Sequence, residues 1–289
     1  MYEKLENCPV CKNTNFQNHL ICKDHSVSSE SFALSKCQSC QLVFTNPRPG
    51  ENELSNYYLS ENYISHTSKA SNIINLIYKL VRVYTIRGKL RIIKKYNNGK
   101  NVLDYGCGTG DFLYHLNKKG YTTSGYEPSE IANKLLDKRS INRVKNIQKD
   151  TNKYDVITAW HVIEHVPDPR KTVKTLSKKL AENGVMFIAV PNVLCFDALH
   201  YKENWAAYDV PRHLYHFSQQ SFGKLIEKCK LKLVDTIPMK FDSYYVSMLS
   251  EKYSHGKNNL ASALKIGYRS NKLAKKNGEY SSLIYVLKK

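Results

Sequence analysis

Glycine stands at every second position from Gly106 to Gly110, directly after the short apolar run Val102–Leu103 and the carboxylate of Asp104. A buried strand, a loop of this kind and then a helical pattern, here Asp111 to Leu116, form the opening unit of an alternating α/β sheet. Three missing Cβ atoms let main chain come close to a ligand, and glycine permits φ > 0 where the turn is sharpest. The element is a turn that presses backbone against a nucleoside.

Two nucleoside readings compete. In the dinucleotide fingerprint G-x-G-x-x-G, the third glycine brings helix and strand together and a pyrophosphate sits at the helix N-terminus. Asp111 occupies that third position here. A carboxylate there repels a pyrophosphate and suits a ligand with a cationic end. Glu127 follows Tyr121 to Tyr126, which reads as the second strand, and an acid at that place can take both ribose hydroxyls. The plainer alternative is an ordinary βαβ turn with a solvated Glu127. The joint spacing of strand, loop and acid favours the nucleoside site.

Asp104 to Gly110, Glu127, and the stretch Tyr154 to Pro169 (Tyr-Asp-Val-Ile-Thr-Ala-Trp-His-Val-Ile-Glu-His-Val-Pro-Asp-Pro) together resemble the class I S-adenosylmethionine-dependent methyltransferases over about residues 99–289. The resemblance implies a doubly wound, Rossmann-like seven-stranded sheet. It further implies that Asp104, Gly106, Cys107, Gly108 and Gly110 lie under the methionine part of the cofactor and that Glu127 binds its ribose. Ala159, Trp160 and His161 would line the methionine side, and Asp150 stands where the family often has an acid near adenine. Ubiquinone-pathway O-methyltransferases, which this block resembles, carry E-x-x-E-H after the fourth strand and can bind a divalent metal there. This chain has His161 for the first Glu, followed by Glu164 and His165, all on one face of a helical turn. Imidazole in place of an oxygen ligand suits Mg²⁺ less well. The structural alternative is that Glu164 and His165 cap and orient the turn.

Four of the eight cysteines form two knuckles, Cys8-x-x-Cys11 and Cys37-x-x-Cys40, with 25 residues between the pairs. Four thiolates at this spacing can close tetrahedrally around Zn²⁺, leaving no open position, so the role is structural. A metal would hold together a segment too short to have a core of its own. A redox dithiol would be a single C-x-x-C beside a βαβ unit, and disulfides do not suit a cytosolic chain. Cys22 and His25 lie between the knuckles as substitute ligands. Cys107, Cys195 and Cys229 read as packing residues.

The expected organisation is a zinc-ribbon-like unit over 1–48, a helical lid or linker over 49–98, and the methyltransferase domain over 99–289. Strands are expected near 101–105, 121–126, 143–147, 154–160 and 184–190, with a turn at Glu182–Gly184. Two further strands, near 231–237 and 281–287, are paired antiparallel in the family. In the lid, Ile73, Ile77, Leu80 and Tyr84 fall on one helical stripe.

The net charge of +19 is concentrated in two stretches: Lys69 to Lys100 holds nine basic residues and no acid, and Lys252 to Lys289 holds nine against Glu279 alone. Solvated faces would account for this; so would an anionic substrate or carrier. No run approaches the ~20 apolar residues that span a bilayer, and Met1 to Asn7 carries two acids and no apolar leader, so a cytoplasmic protein is expected.

Pro191 to Phe217 is dense in aromatic residues and histidine and leaves the fifth strand at the sheet's carboxyl edge, where open α/β sheets bind ligands. The acceptor is expected there, with His161, His213, Tyr215 and His216 as candidate catalytic residues, and His165 as a further candidate base. The first functional reading is methylation, at O or C, of a small molecule or saccharide, nucleotide- or carrier-linked and anionic. The second is methylation of RNA or protein, with the basic stretches and zinc ribbon holding a macromolecule. No amine-methylating Asn-Pro-Pro-Tyr signature follows the fourth strand to support it. A non-enzymatic cofactor-binding scaffold is the third.

Overall fold

The computed structural model describes residues 2–58, 72–257 and 259–289, without the side chains of 72–83. The N-terminal unit holds five strands: β1 (Tyr2–Glu3), β2 (Phe16–Lys23), β3 (Ser31–Cys37), β4 (Val43–Thr45) and β5 (Arg48–Pro49). β2, β3 and β4 run antiparallel in sequence, and β1 pairs with β5. The loop between β2 and β3 is organised by Asp24, whose carboxylate accepts from the backbone N–H of Ser26, Val27 and Ser28. Asp and Asn favour such turns because their short side chains replace a backbone acceptor.

After α1 (Glu51–Leu54) and the long helix α2 (Asn72–Tyr96) the alternating block begins. Its elements are β6 (Asn101–Tyr105), α3 (Asp111–Asn117), β7 (Thr122–Tyr126), α4 (Glu130–Lys138), β8 (Asn142–Arg143), β9 (Tyr154–Trp160), α5 (Pro169–Lys179) and β10 (Leu180–Pro191). Then follow α6 (Phe196–Tyr201), β11 (Tyr215–His216), α7 (Gln219–Lys228), β12 (Lys232–Pro238), α8 (Asp242–His255), α9 (Leu260–Asn277) and β13 (Ser282–Lys288). One seven-stranded sheet has the order β12-β13-β10-β9-β6-β7-β8. Its strands β8, β7, β6, β9 and β10 are parallel, and β13 is antiparallel to both β10 and β12. The parallel part is what the alternation predicts, and the seven strands with an antiparallel β13 agree with the Rossmann-like sheet that the resemblance implies.

Covered on both faces by helices, the central strands are apolar almost throughout: Val156, Ile157, Val185, Met186, Phe187 and Ile188 are fully buried. Expected bounds match at β6 and β9. The third strand is shorter than the expected 143–147, because β8 is an edge strand of polar sequence with a single neighbour. The fifth is longer: β10 absorbs Glu182–Gly184 as an irregularity between Leu180 and Val185 instead of turning there. In the lid region, 59–71 and the stripe residues Ile73, Ile77 and Leu80 lie outside the described side chains, while Tyr84 is exposed and meets Phe241 edge-on at 5.4 Å.

The N-terminal unit is not self-contained. β11 leaves the alternating block and pairs antiparallel with β4, Tyr215 opposite Phe44 and His216 opposite Val43, so the four-stranded sheet runs β11-β4-β3-β2. Arg212, just before β11, is fully buried and bridges Asp24 at 2.9 Å and Asp209 at 2.7 Å.

Candidate active site

The glycine loop follows β6 at the carboxyl edge of the sheet. Gly106, Gly108 and Gly110 all have φ > 0, at 74°, 52° and 73°. A Cβ on Gly110 would meet Leu136 at 2.4 Å and Ile141 at 2.6 Å, so this residue brings the loop and helix close. It takes the role that the fingerprint gives its third glycine. A Cβ on Gly108 would meet nothing within 4 Å; here the main chain borders open space. Cys107 packs with its Sγ against Gly125, where an added Cβ would lie 2.7 Å away.

Glu127, one residue past β7, accepts from the N–H of Gly108 at 2.9 Å and of Ser129 at 3.0 Å, so its carboxylate braces the loop from the adjacent strand. Asp104 is buried at the end of β6 and accepts from Thr158 Oγ1 at 2.6 Å. Burial pushes its carboxyl up to about 7, against the opposing pull of Thr158 and Lys89. Asp111 is not left for a ligand: its carboxylate pairs with Arg139 at 2.9 Å and accepts from Thr109. The cationic-ligand argument built on Asp111 therefore passes to Asp104.

Ala159 is buried within β9 and Trp160 ends it half-exposed, with an indole N–H that is buried and lacks a partner among the described residues. Lys89 of α2 places Nζ 4.4 Å from the Trp160 ring centroid, and burial lowers its pKa while Asp104 and Asp242 oppose that. Sequence reasoning missed Lys89. The only signal was its place in the acid-free basic stretch, where nothing distinguished it from eight other cations. Asp150, by contrast, sits at the opposite, amino edge of the sheet. Its carboxylate accepts from Tyr154 Oη at 2.8 Å and its carbonyl from Lys179, so it is not brought to the loop.

His161 follows β9 with φ +56°, a conformation that costs a non-glycine residue about 1–2 kcal/mol. Its Nδ1 lies 3.3 Å from Glu164 Oε1 and its Nε2 3.2 Å from Asp242 Oδ2. Burial disfavours the imidazolium, but the two carboxylates prevail and push the pKa up to about 9. At neutral pH His161 is a cation and lacks the lone pair of a base.

His165 and His213 are arranged differently. His165 Nδ1 contacts the Arg212 carbonyl at 3.1 Å and Tyr58 Oη at 3.0 Å, and His213 Nδ1 contacts the Ala207 carbonyl at 2.8 Å. A carbonyl only accepts, so each ring holds a proton on Nδ1; burial lowers the His165 pKa to about 4, so its Nε2 keeps a lone pair, while Nε2 of His213 lies 4.0 Å from Asp209 Oδ2. Glu164 is fully buried, and both its oxygens lack a hydrogen-bond donor among the described residues; His161 is near enough for charge pairing but not in line. Ligand atoms of Glu164, His165 and His213 lie within 4.8 Å of one another. Two imidazoles oriented by backbone carbonyls, with an unsatisfied carboxylate, fit a divalent cation. His213 thus joins Glu164 and His165 in the place the motif assigned to residue 161.

A cavity of about 590 Å³ opens beside these groups and is lined by His161, His213 and Asp242 among others. Tyr215 and His216 do not line it. Tyr215 donates to the Pro167 carbonyl at 2.5 Å and accepts from Arg48 at 2.6 Å, and His216 is buried beside Thr45 at 3.5 Å. Both are held in β11 as part of the N-terminal sheet, which removes them from the candidate bases.

Cys8, Cys11, Cys37 and Cys40 converge with their sulfurs within 4.8 Å of one another; Cys8–Cys40 and Cys11–Cys37 are each 3.5 Å apart. A tetrahedral Zn²⁺ with bonds of about 2.3 Å sets sulfurs about 3.8 Å apart, so the four residues fit that ion. Cys22 is buried in a separate apolar cluster and His25 stacks on Tyr253, so neither belongs to the knuckle. Cys195 caps α6, and Cys229 is packed in the core.

A family model described as a methyltransferase domain matches residues 79–236, more than half of the chain. Among curated proteins the chain is similar to a ubiquinone biosynthesis O-methyltransferase of Coxiella burnetii (strain Dugway 5J108-111), 31% identical over 104 residues, covering 32% of this chain and 44% of that one. A protein of the same name from Histophilus somni (strain 2336) is 33% identical over 122 residues, covering 36% of this chain and 51% of that one. The matches thus span about half the length of these relatives. Among solved structures, magnesium protoporphyrin IX methyltransferase from Synechocystis PCC 6803 with bound SAH has a TM-score of 0.54 at 12% identity, covering 82% of this chain and 99% of that one. That likeness concerns the fold.

Proposed function

The chain belongs to the methyltransferase-domain family, and on that premise we propose that it methylates a small molecule or saccharide, a nucleotide- or carrier-linked sugar, at oxygen or carbon with S-adenosylmethionine as donor. The observation that carries the acceptor class is the cavity of about 590 Å³ beside His161 and His213. It falls in the range of small-molecule pockets, whereas a polynucleotide needs an open basic groove.

When bound, S-adenosylmethionine supplies an electrophilic methyl on sulfur. The protein's part is alignment, exclusion of water and management of one proton. Gly108 offers main chain without a side chain, and Glu127, which braces it, is the acid we assign to the ribose hydroxyls. Asp104 and Lys89 carry the charges that complement an α-ammonium and an α-carboxylate. His213, with its proton held on Nδ1, offers Nε2 to an acceptor hydroxyl. His161, cationic between Glu164 and Asp242, stabilises negative charge that develops on the acceptor.

A structural Zn²⁺ on Cys8, Cys11, Cys37 and Cys40 belongs to this reading, as does a cytoplasmic setting that keeps those thiols reduced. None of the described helices is long and apolar enough to cross a membrane. A second cation at Glu164, His165 and His213 is favoured by the unsatisfied Glu164 carboxylate. Loaded, it would occupy Nε2 of His213 and act on the acceptor as a Lewis acid in place of the base.

Incubation with methyl-labelled cofactor and a panel of nucleotide sugars tests the proposal. Transfer to a saccharide supports it; label appearing only in RNA or protein of a cell lysate sinks it in favour of the macromolecular reading.

A further inference from the structure

The acceptor cavity is longer than methyl transfer alone requires. One face of α8 lines it: Asp242, Tyr245, Val246, Leu249, Lys252 and Tyr253 recur at helical spacing. From Asp242 to Tyr253 the helix rises about 16 Å. At the near end, Asp242 pairs with His161, where the reacting atoms meet. At the far end the wall comes from the N-terminal unit. The His25 ring lies flat on Tyr253, with centroids 4.3 Å apart and planes at 7°, and Ser26 Oγ is 3.3 Å from Tyr253 Oη. Both His25 and Ser26 line the cavity.

This far wall is built to hold its shape. The loop that carries His25 and Ser26 is wound around Asp24, and Asp24 is fixed to buried Arg212 across the unit boundary. The charges along the cavity are unevenly spent. Asp209 is engaged by Arg212 and Asp242 by His161, which leaves Lys252 with no carboxylate in ion-pair range among the described residues. Lys252 lines the same cavity as Ser26 and Tyr253, and an ammonium with two hydroxyls is a donor set for phosphate oxygens.

From this geometry we infer that the N-terminal unit is the specificity half of the acceptor site. Residues 24–28 close the distal end of the cavity, and an elongated acceptor sets its reacting group at His161 and a phosphate-bearing group at Lys252, Ser26 and Tyr253. The inference rests on the methyltransferase reading, and adds to it which end of the acceptor is recognised and by which unit.

Calorimetry on the full chain, with inorganic pyrophosphate as probe and S-adenosylhomocysteine as control, tests it. Pyrophosphate is expected to bind saturably. Lys252→Ala weakens it about ten-fold, Ser26→Ala weakens it by less, and Lys252→Arg restores it. Lys265→Ala, on the outer face of α9, leaves it unchanged, which separates the cavity from the general basic surface. Pyrophosphate that fails to bind, or binds Lys252→Ala as well as the parent, overturns the inference while bound S-adenosylhomocysteine keeps the methyltransferase reading intact. A parent chain that binds no S-adenosylhomocysteine overturns both, and the control identifies that case.

Discussion

Arg212 Nη2 donates to Asp24 Oδ1 at 2.9 Å across 188 positions of sequence, and both side chains are essentially without solvent. The pair joins the N-terminal loop to the segment that carries His213. Breaking one partner of such a buried pair leaves an uncompensated charge and costs about 3–5 kcal/mol. Asp24→Ala is therefore expected to lower the denaturant midpoint strongly, by an amount in that range. A loss below about 1 kcal/mol would show that Asp209 alone satisfies Arg212.

The two loop glycines are expected to separate stability from ligand binding. Gly110→Ala places a Cβ 2.4 Å from Leu136 at φ +73°, so overpacking adds to backbone strain for roughly 2–5 kcal/mol. Gly108→Ala has strain but no clash, and costs about 1–2 kcal/mol of fold stability. Its larger effect is on S-adenosylhomocysteine affinity, measured by calorimetry, because the new methyl occupies the open space beside the loop.

Asp104 sets a pH dependence of unusual sign. Its carboxyl is pushed up by burial, to about 7 from an ordinary 3.8, so the folded chain holds a proton that the unfolded chain has released. Stability contributed at this site is greatest below about pH 4 and declines as pH rises to about 7. Asp104→Asn removes that decline, and thermal scans across the window should show the variant gaining on the parent toward neutral pH. S-Adenosylhomocysteine affinity should move the other way in the parent, strengthening as the carboxylate forms.

Metal content distinguishes the two clusters. Cys8→Ser with Cys11→Ser is expected to lose zinc and, with it, the N-terminal sheet, seen as early proteolysis near the knuckles. His213→Ala is expected to keep that zinc and lose any second divalent ion. A parent chain with zinc alone, unchanged by His213→Ala, would leave Glu164 only as the charge partner of His161.

The parallel sheet, the glycine loop and the knuckles were legible because each rests on local pattern: apolar runs near 101–105 and 154–160, alternating glycine, and paired cysteines. His161 and His213 were legible as residue types at a sheet edge. Their division of labour was not, since it depends on Asp242 and on the Ala207 carbonyl, one brought by α8 and the other by the turn before Arg212. Tyr215 and His216 misled for the same reason. A short segment rich in aromatics and histidine reads as a site, and only β-pairing with Val43 and Phe44 reveals it as scaffold. Lys89 could be read as a cation but not as a half-buried one over the Trp160 ring, because that position is a property of the packed helix.

β11 also bears on the order in which the molecule can be made. Its pairing partner β4 leaves the ribosome first, yet the open edge of that sheet stays uncovered until residues Tyr215–His216 have emerged. During synthesis the amino-terminal strands must wait beside the exit tunnel with an unpaired edge, a hazard for pairing with other nascent chains. A metal captured early by the four cysteines would hold the two knuckles, and with them the ends of these strands, together in that interval.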